Sequence, residues 1–262
     1  MPGDSTQRFS NRVDYYVRSR PGYPPEVLQT LQEYAGLRPG AAVADLGSGT
    51  GISSELLLRA GCRVFAVEPN AAMREAAEAR LNQFANFSSI DATAEHTGLP
   101  EASIDLVLAA QAFHWFDPPR VRAEFDRIVR PGGFVALVWN LRLIDTTPFL
   151  RDYEALLQEF GTDYQEVSHG QGDSGKVEDF FAPRPVTRKV FANSQLLDLP
   201  GLRDRLLSSS YAPAPGTSQH EPMLDRLGKI FAAHATAGVV ELQYETSLSW
   251  ARWTEPVAEA TR

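Results

Sequence analysis

The sequence predicts an α/β fold built around a mainly parallel sheet, and three observations support this prediction. Between Val43 and Asn140, short apolar runs typical of buried strands alternate with amphipathic segments typical of helices. Glycine-rich turns separate these segments, as in strand–helix–strand crossover units. Near the C-terminus, VVELQYETSLSW alternates apolar and polar residues, which predicts a half-exposed strand added late as an antiparallel edge.

The first elements carry recognisable start and stop signals. The Pro24-Pro25 pair favours a helix start, and the apolar residues after it recur at helical spacing. VADLG then predicts a short buried strand. From Ser53 a helix carries Leu56 and Leu57 inward and ends near Gly61, because glycine readily takes the left-handed conformation that closes a helix.

The next elements repeat the alternation. CRVFAVEP predicts a second strand, and Asn70 caps a helix whose inner stripe includes Met73. NFSSI and SIDLVLAAQAF predict a third and a fourth strand. Asp117 caps the following helix, and RPGGFVALVWN predicts a glycine turn and a fifth strand. Beyond Asn140, helical segments dominate.

Composition excludes several classes of protein. The 262 residues carry a formal charge of −8, whereas general nucleic-acid binders and anionic-membrane binders need a cationic face. The one cysteine, Cys62, cannot form an internal disulfide and is consistent with a reducing compartment. The polar start MPGDSTQRFSNRVDYY is not a signal peptide, and no apolar run approaches the ~20 residues that span a bilayer. We therefore expect a soluble cytoplasmic protein.

The turn Gly47-Ser48-Gly49-Thr50-Gly51 predicts a ligand site after the first strand. A dinucleotide fingerprint would need glycine where Ile52 stands, which disfavours a nicotinamide oxidoreductase. A triphosphate loop would need a lysine after the turn. The stretch GQGDSGKV from Gly170 has glycine-lysine spacing, but Val177 replaces the metal-binding hydroxyl, so we interpret it as a surface loop.

Two acids flank the glycine turn. Asp45 would repel a pyrophosphate but would suit a ligand that carries an ammonium group. Glu68, at the end of the second strand, is placed to accept hydrogen bonds from both hydroxyls of a ribose. Together they predict a nucleoside with a cationic amino acid tail, and S-adenosylmethionine is such a ligand.

These motifs resemble those of the class I S-adenosylmethionine-dependent methyltransferases. VADLGSGTG is similar to their first motif, VFAVEPNAAM to their second, and SIDLVLAAQAFHWFD and IVRPGGFVALVW to their fourth- and fifth-strand regions. FSNRVDYYVRSRPGYP, AQAFHWF and LLSSSYAPAPG also resemble a bacterial small-molecule group, with trans-aconitate methyltransferase-like proteins as a loose relative. The resemblance extends over nearly the whole chain.

The resemblance implies a Rossmann-like, doubly wound, seven-stranded, mainly parallel sheet with an antiparallel last strand and a helical cap. Residues 1–140 would form an N-terminal lid and the cofactor-binding core. Residues 141–262 would form a helical substrate cap and the terminal strands that complete the same sheet, so the chain would be a single domain overall.

The resemblance also implies a set of cofactor contacts. The glycine turn would approach the methionine portion, Glu68 the ribose, and Asn70 and Met73 the adenine. Thr93 stands where relatives often have an acid for the adenine amino group, and nearby Asp91 is a candidate replacement. The predicted cofactor contacts are Tyr16, Arg20, Asp45, Gly47, Ser48, Gly49, Gly51, Glu68, Pro69, Met73, Thr93, Ala94, Ala110 and Gln111.

His114 is the predicted catalytic residue. It follows the fourth strand, whose carboxyl end faces the ligand crevice in such sheets, and could act as a general base. Lining the pocket without proton transfer, or simple packing, are its other interpretations. Trp115, Trp139 and Tyr211 are the predicted substrate contacts, beside Phe116 in an aromatic pocket.

Several functional alternatives stay open at this point. O-methylation of a small metabolite is favoured over N- or C-methylation, and a protein that binds the cofactor without methyl transfer is the alternative from another class. The signature of amino-group methylation on nucleic-acid bases is absent. The histidines show no metal-ligand spacing, so no metal is expected. A cationic entrance for a carboxylate substrate is a further hypothesis, with Arg12, Arg18, Arg20 and Arg142. The sequence does not indicate an oligomeric state.

Overall fold

In the computed structural model, which describes residues 12–164 and 174–253, seven strands form one sheet. Their order across the sheet is β3-β2-β1-β4-β5-β7-β6. The strands are β1 (Ala42–Leu46), β2 (Arg63–Val67), β3 (Phe87–Ile90), β4 (Ile104–Ala110), β5 (Val129–Arg142), β6 (Thr187–Leu197) and β7 (Val240–Arg252).

Helices cover the sheet and extend beyond it. They are α1 (Val13–Ser19), α2 (Pro25–Tyr34), α3 (Ile52–Arg59), α4 (Ala71–Leu81), α5 (Pro118–Ile128), α6 (Pro148–Phe160), α7 (Ser174–Phe181), α8 (Leu199–Leu207) and α9 (His220–His234). A short 3₁₀ helix, Phe113–Trp115, follows β4. Among the described residues, none of the helices combines the length and apolar character needed to cross a bilayer.

The arrangement confirms the predicted Rossmann-like sheet. Strands β1 to β5 are parallel, and β7 runs antiparallel to both of its neighbours. The chain moves outward from β1 to β2 and β3, and then returns to place β4 on the other side of β1. This reversal opens a crevice at the carboxyl ends of β1 and β4, which is where ligands bind in such sheets.

The late alternating strand is confirmed, but its predicted position at the sheet edge is wrong. Val240, Leu242 and Tyr244 are buried, as the alternation indicated. However, β7 lies between β5 and β6, and β6 forms the edge. From Thr246 to Ala251 every residue of β7 is buried, because neighbouring strands and helices cover both of its faces.

The predicted helix starts are confirmed by their caps. The Asn70 side chain accepts a hydrogen bond from the Met73 amide at 3.0 Å, and the Asp117 side chain accepts one from the Arg120 amide at 3.2 Å. In α3, Leu57 is buried as expected, whereas Leu56 is only half-buried. Each cap supplies an acceptor to a first-turn amide that has no partner within its helix.

Three hydrophobic clusters organise the core. One sheet face packs against α5 and α7, the opposite face packs against α2 and α3, and the third cluster joins α6, α8 and α9 to the start of β7. Residue 140, the predicted boundary, falls inside β5, and the strands after it continue the same sheet. The helices after β5 therefore stand on a sheet that both halves of the chain build.

Candidate active site

A cavity of about 730 Å³ lies at the carboxyl ends of the parallel strands. Gly47 after β1, Glu68 after β2 and Ala110 at the end of β4 form its floor. Arg20, just after α1, and Arg205 in α8 line it from the other side. The cavity is thus enclosed between the sheet, the N-terminal helix and the helices of the C-terminal half.

Most of the predicted site residues converge on this cavity. Asp45, Ser48, Gly51 and Trp139 are not among the lining residues. Those that do line it are Tyr16, Arg20, Gly47, Gly49, Glu68, Pro69, Met73, Thr93, Ala94, Ala110, Gln111, His114, Trp115 and Tyr211.

The glycine turn uses its glycines in two different ways. Gly51 has φ +80° and packs so closely that an added Cβ would lie 2.5 Å from Leu81 Cδ1. Gly49 has φ +54° and lines the cavity, and an added Cβ there would meet no protein atom within 4 Å. Gly51 therefore serves helix packing, while Gly49 leaves open space beside the turn.

The predicted contact between Asp45 and an ammonium group of the ligand is not supported. Its side chain is fully buried, and Oδ2 accepts hydrogen bonds from the hydroxyls of Ser53 at 2.7 Å and Ser54 at 2.6 Å. Burial raises its pKa to about 6, although these two hydroxyls favour the charged form. A carboxylate without accessible surface cannot contact an ammonium group in this conformation, so Asp45 instead ties β1 to the start of α3.

Glu68 is held in place by the backbone on either side of it. Its Oε2 accepts from the Gly49 amide and its Oε1 from the Asn70 amide, each at 2.9 Å. Burial is the largest influence on the Glu68 carboxyl and raises its pKa. Each carboxylate oxygen has a further lone pair, so the fixed carboxylate can also accept hydrogen bonds from a pair of vicinal hydroxyls.

The predicted replacement of the adenine-binding acid is not supported. Asp91 is 69% exposed, pairs with Arg74 at 3.0 Å and does not line the cavity. Thr93 and Ala94 line the cavity there, together with Met73. Asn70 and Glu95 line the same part of the cavity, so polar side chains, backbone and apolar groups are all available to an adenine there.

The segment after β4 is strained and faces the cavity. Gln111 has φ +62°, a conformation that costs a non-glycine residue about 1 kcal/mol or more. Two bonds hold it, from its amide to the Val138 carbonyl at 2.8 Å and from its side chain to the Asn140 carbonyl at 3.2 Å. His114 follows in the 3₁₀ helix, half-buried, with its ring centroid 4.6 Å from that of Trp115.

The four arginines of the predicted cationic entrance do not act together. Arg12 donates to the carbonyls of Leu207, Ser209 and Ala212 at 2.7–2.8 Å, and Arg18 pairs with Asp204. These two fasten α1 to α8 and the turn after it. The other two line the cavity, namely Arg20 and Arg142.

The aromatic pocket is also smaller than predicted. Trp139 is 3% exposed and packs edge-on to Phe113 in the core beneath the cavity, so it is not a substrate contact in this structure. Trp115 and Tyr211 do line the cavity.

Sequence reasoning missed much of the wall contributed by the C-terminal half. Tyr244 stands on the buried face of β7 and could have been found from that alternation. Arg205 gave no such signal, because a lone arginine in a helical segment is usually solvent-exposed. The missed wall residues include Asn140, Glu154, Gln158, Tyr164, Arg205 and Tyr244.

Comparisons with known proteins agree on one family. A family model described as a methyltransferase domain matches residues 44–137. Uncharacterized methyltransferases of Mycobacterium tuberculosis and Mycobacterium bovis are each 33% identical over 249 residues, covering 93% of this chain and 94% of the relative. The chain belongs to the class I S-adenosylmethionine-dependent methyltransferases.

Solved structures support the same assignment for this methyltransferase. A protein of Anaeromyxobacter dehalogenans, provisionally described as a type II methyltransferase, is 26% identical with a TM-score of 0.70, covering 90% of this chain and 99% of that one. A Haemonchus contortus phosphoethanolamine N-methyltransferase, solved with S-adenosylhomocysteine, shares the fold at 15% identity and a TM-score of 0.56. That match covers 97% of this chain and 59% of the other.

The residues of the methyltransferase fit S-adenosylmethionine. Space beside Gly49 is free of protein atoms, and Glu68 presents to the cavity a fixed carboxylate that can accept hydrogen bonds from vicinal hydroxyls such as those of a ribose. The polar side chains of Asn70, Thr93 and Gln111 also line the cavity, which suits a polar ligand.

Proposed function

We propose that this methyltransferase methylates a small-molecule acceptor, preferably on oxygen. The observation that carries the proposal is the enclosure of the cavity by α1 on one side and by α6 and α8 on another. Its volume of about 730 Å³ lies within the range typical of small-molecule sites. Its walls continue beyond the predicted cofactor contacts to His114, Trp115 and Tyr211.

The two halves of the chain would have different roles, cofactor binding and acceptor selection. Residues 1–140 would contribute the lid and the cofactor contacts, and residues 141–262 the cap that selects the acceptor. The cap helices α6 and α8 supply Glu154, Gln158 and Arg205 to the wall, which supports this division.

The bound cofactor supplies a methyl group that its sulfonium already activates. The protein must therefore align the acceptor, exclude water and, for a hydroxyl acceptor, remove a proton. His114 is the proposed base because it stands after β4, lines the cavity and is half-buried beside Trp115. An acceptor that is already nucleophilic, on nitrogen or carbon, would not need this proton transfer.

The test combines an acceptor screen with a base variant. A panel of small hydroxylated molecules is incubated with methyl-deuterated S-adenosylmethionine, and products are sought by mass spectrometry. We expect labelled O-methyl products, a kcat that declines as pH falls, and a loss of about 100-fold or more in kcat for His114→Ala. Unchanged cofactor affinity in His114→Ala would show that the variant folds. Labelled products formed at the wild-type rate by His114→Ala would overturn the role of the base.

A further inference from the structure

Three arginines line the part of the cavity that α1, α6, α8 and the end of β5 enclose, which we call the acceptor side. Arg20 lies beyond the end of α1, Arg142 at the end of β5 and Arg205 within α8. Charged side chains are rarely buried without an opposite charge, because their desolvation is costly. The balance of charge around these arginines therefore indicates what the cavity is built to bind.

Arg142 has its counter-ion within the protein. Its guanidinium forms an ion pair with Glu154 and donates to the Tyr164 hydroxyl at 2.9 Å. Both partners of the ion pair are nearly buried, with 11% and 12% of their side chains exposed. The Tyr164 hydroxyl in turn donates to Glu154 at 2.6 Å. This part of the wall is therefore close to neutral.

Arg205 has no such counter-ion. The residue is 8% exposed, and its donors reach only neutral oxygens, the Tyr244 hydroxyl at 3.2 Å and the Ser209 hydroxyl at 3.3 Å. Among the described residues, no carboxylate forms an ion pair with it and its Nη2 has no acceptor. The Tyr244 hydroxyl donates to Gln195, which fixes the tyrosine beside the guanidinium.

Arg20 is in a similar position. Its guanidinium donates to the carbonyl of Ser208 at 2.8 Å and to its hydroxyl at 3.1 Å, and stacks over the Tyr16 ring at 4.6 Å. Burial and the nearby positive charge of Arg205 lower its pKa. The two arginines thus repel each other across a region in which the described residues supply neither with an acidic partner.

The other two acids of the cavity wall, Glu68 and Glu95, accept hydrogen bonds from backbone amides. Glu68 accepts from the glycine turn, and Glu95 accepts from the Asp117 amide. On the acceptor side, Glu154 pairs with Arg142, whereas the described residues give Arg20 and Arg205 only neutral acceptors. The cofactor carries one carboxylate, for which Arg20 is the predicted partner.

We propose that the methyl acceptor is a carboxylic acid whose carboxylate is bound by Arg205, with Tyr244 beside it. This inference rests on the proposed function, because it names the substrate class of the same cavity. A carboxylate would give Arg205 the acidic partner that it lacks, and its two oxygens match the planar donors of a guanidinium. Arg205 is thus the specificity-determining residue of the acceptor half.

Binding to the complex with S-adenosylhomocysteine tests the proposal, because that product already fills the carboxylate position of the cofactor. Two acid–amide pairs serve as probes, 4-hydroxybenzoate with 4-hydroxybenzamide and 3-hydroxybutyrate with 3-hydroxybutyramide. 4-Hydroxyphenyl phosphate serves as the dianionic comparison. We expect at least one acid to bind about tenfold or more tightly than its amide and more tightly than the phosphate.

Variants test whether the preference for the acid over the amide depends on the Arg205 side chain. Arg205→Met should abolish the preference for the acid, and Arg205→Lys should keep a weaker one, since it retains the charge without the planar donors. Arg18→Gln is the matched control, because Arg18 lies on α1 and pairs with Asp204 of α8 outside the cavity, so the preference should be unchanged. Wild-type affinity for S-adenosylhomocysteine shows that each variant is folded.

The outcomes separate this inference from the proposed function. Any of four results would overturn the carboxylate site. They are equal binding of acids and amides, no binding of either acid, tighter binding of the phosphate, and a preserved preference for the acid in Arg205→Met. Acid preference without transfer of a labelled methyl group would support the carboxylate site and count against O-methylation. Labelled products from amides and acids at equal rates would support methylation and overturn the carboxylate site.

Discussion

Gly49 and Gly98 offer a matched pair for separating backbone strain from ligand space. Both have positive φ, +54° and +72°, and an added Cβ at either would meet no protein atom within 4 Å. Only Gly49 lines the cavity. Alanine at either position should cost about 1 kcal/mol of unfolding free energy, since the left-handed conformation disfavours a Cβ.

We expect Gly49→Ala, and not Gly98→Ala, to weaken S-adenosylhomocysteine binding by about tenfold or more. The reason is that the methyl group of Gly49→Ala would enter the open space beside the turn, where we propose that the methionine portion binds. Calorimetric titration measures the affinity and urea unfolding the stability. Equal affinities in the two variants would show that the space beside Gly49 is not used.

Asp45 predicts a pH dependence of stability. Its folded pKa of about 6 exceeds the usual value of 3.8, so between these values the folded state holds a proton that the unfolded chain has lost. The unfolding free energy therefore falls as pH rises through this window. The full contribution of this group is ~3 kcal/mol, because one pKa unit corresponds to about 1.4 kcal/mol.

Asp45→Asn removes this titration. Its stability relative to wild type should therefore increase from about pH 4 to about pH 7, as measured by urea unfolding at several pH values. Asp91→Asn is the control, because Asp91 is an exposed carboxylate. A constant difference between Asp45→Asn and wild type across this range would mean that Asp45 titrates normally.

At the scale of elements, α1, the proposed lid, is held at two points on α8 and the turn that follows. Arg12 donates to the carbonyl of Leu207 at the end of α8 and to two carbonyls of that turn, whereas Arg18 forms one ion pair at the surface. Hydrogen bonds from a charged group to backbone carbonyls are worth more than an exposed ion pair, which contributes about 0–1 kcal/mol.

Arg12→Ala should therefore speed the release of S-adenosylhomocysteine by about tenfold, while Arg18→Ala should change it less than twofold. Stopped-flow displacement with excess S-adenosylmethionine measures both rates. Release at the wild-type rate from Arg12→Ala would contradict the proposal that these contacts hold α1 over the bound cofactor.

The secondary-structure elements differ in how well sequence patterns predict them. Strands β1, β2 and β4 were predictable because each is a short run of mostly apolar, buried residues. Strand β6 was not, since TRKVFANSQLL is an edge strand with mostly polar, half-exposed residues. Because β6 was not predicted, β7 was expected at the sheet edge. The alternating burial predicted for β7 itself is confirmed.

At the scale of the whole molecule, the two walls of the cavity differ in how far the sequence predicts them. The cofactor wall comes from residues that directly follow strands, such as Gly49 and Glu68, so local motifs locate it. The acceptor wall combines Arg20, Arg142 and Arg205 from distant segments. Their proximity depends on how α1 and α8 pack over the sheet, which no local pattern encodes.

The central claim is that this cavity holds S-adenosylmethionine with its ribose on Glu68. The most direct test is calorimetric titration of S-adenosylhomocysteine into wild type and Glu68→Ala, with NAD as the control ligand and Glu75→Ala as the control for an exposed acid on α4. We expect micromolar binding to wild type and Glu75→Ala, about tenfold or more weaker binding to Glu68→Ala, and none of NAD. Undiminished binding to folded Glu68→Ala, or tight binding of NAD, would contradict the claim.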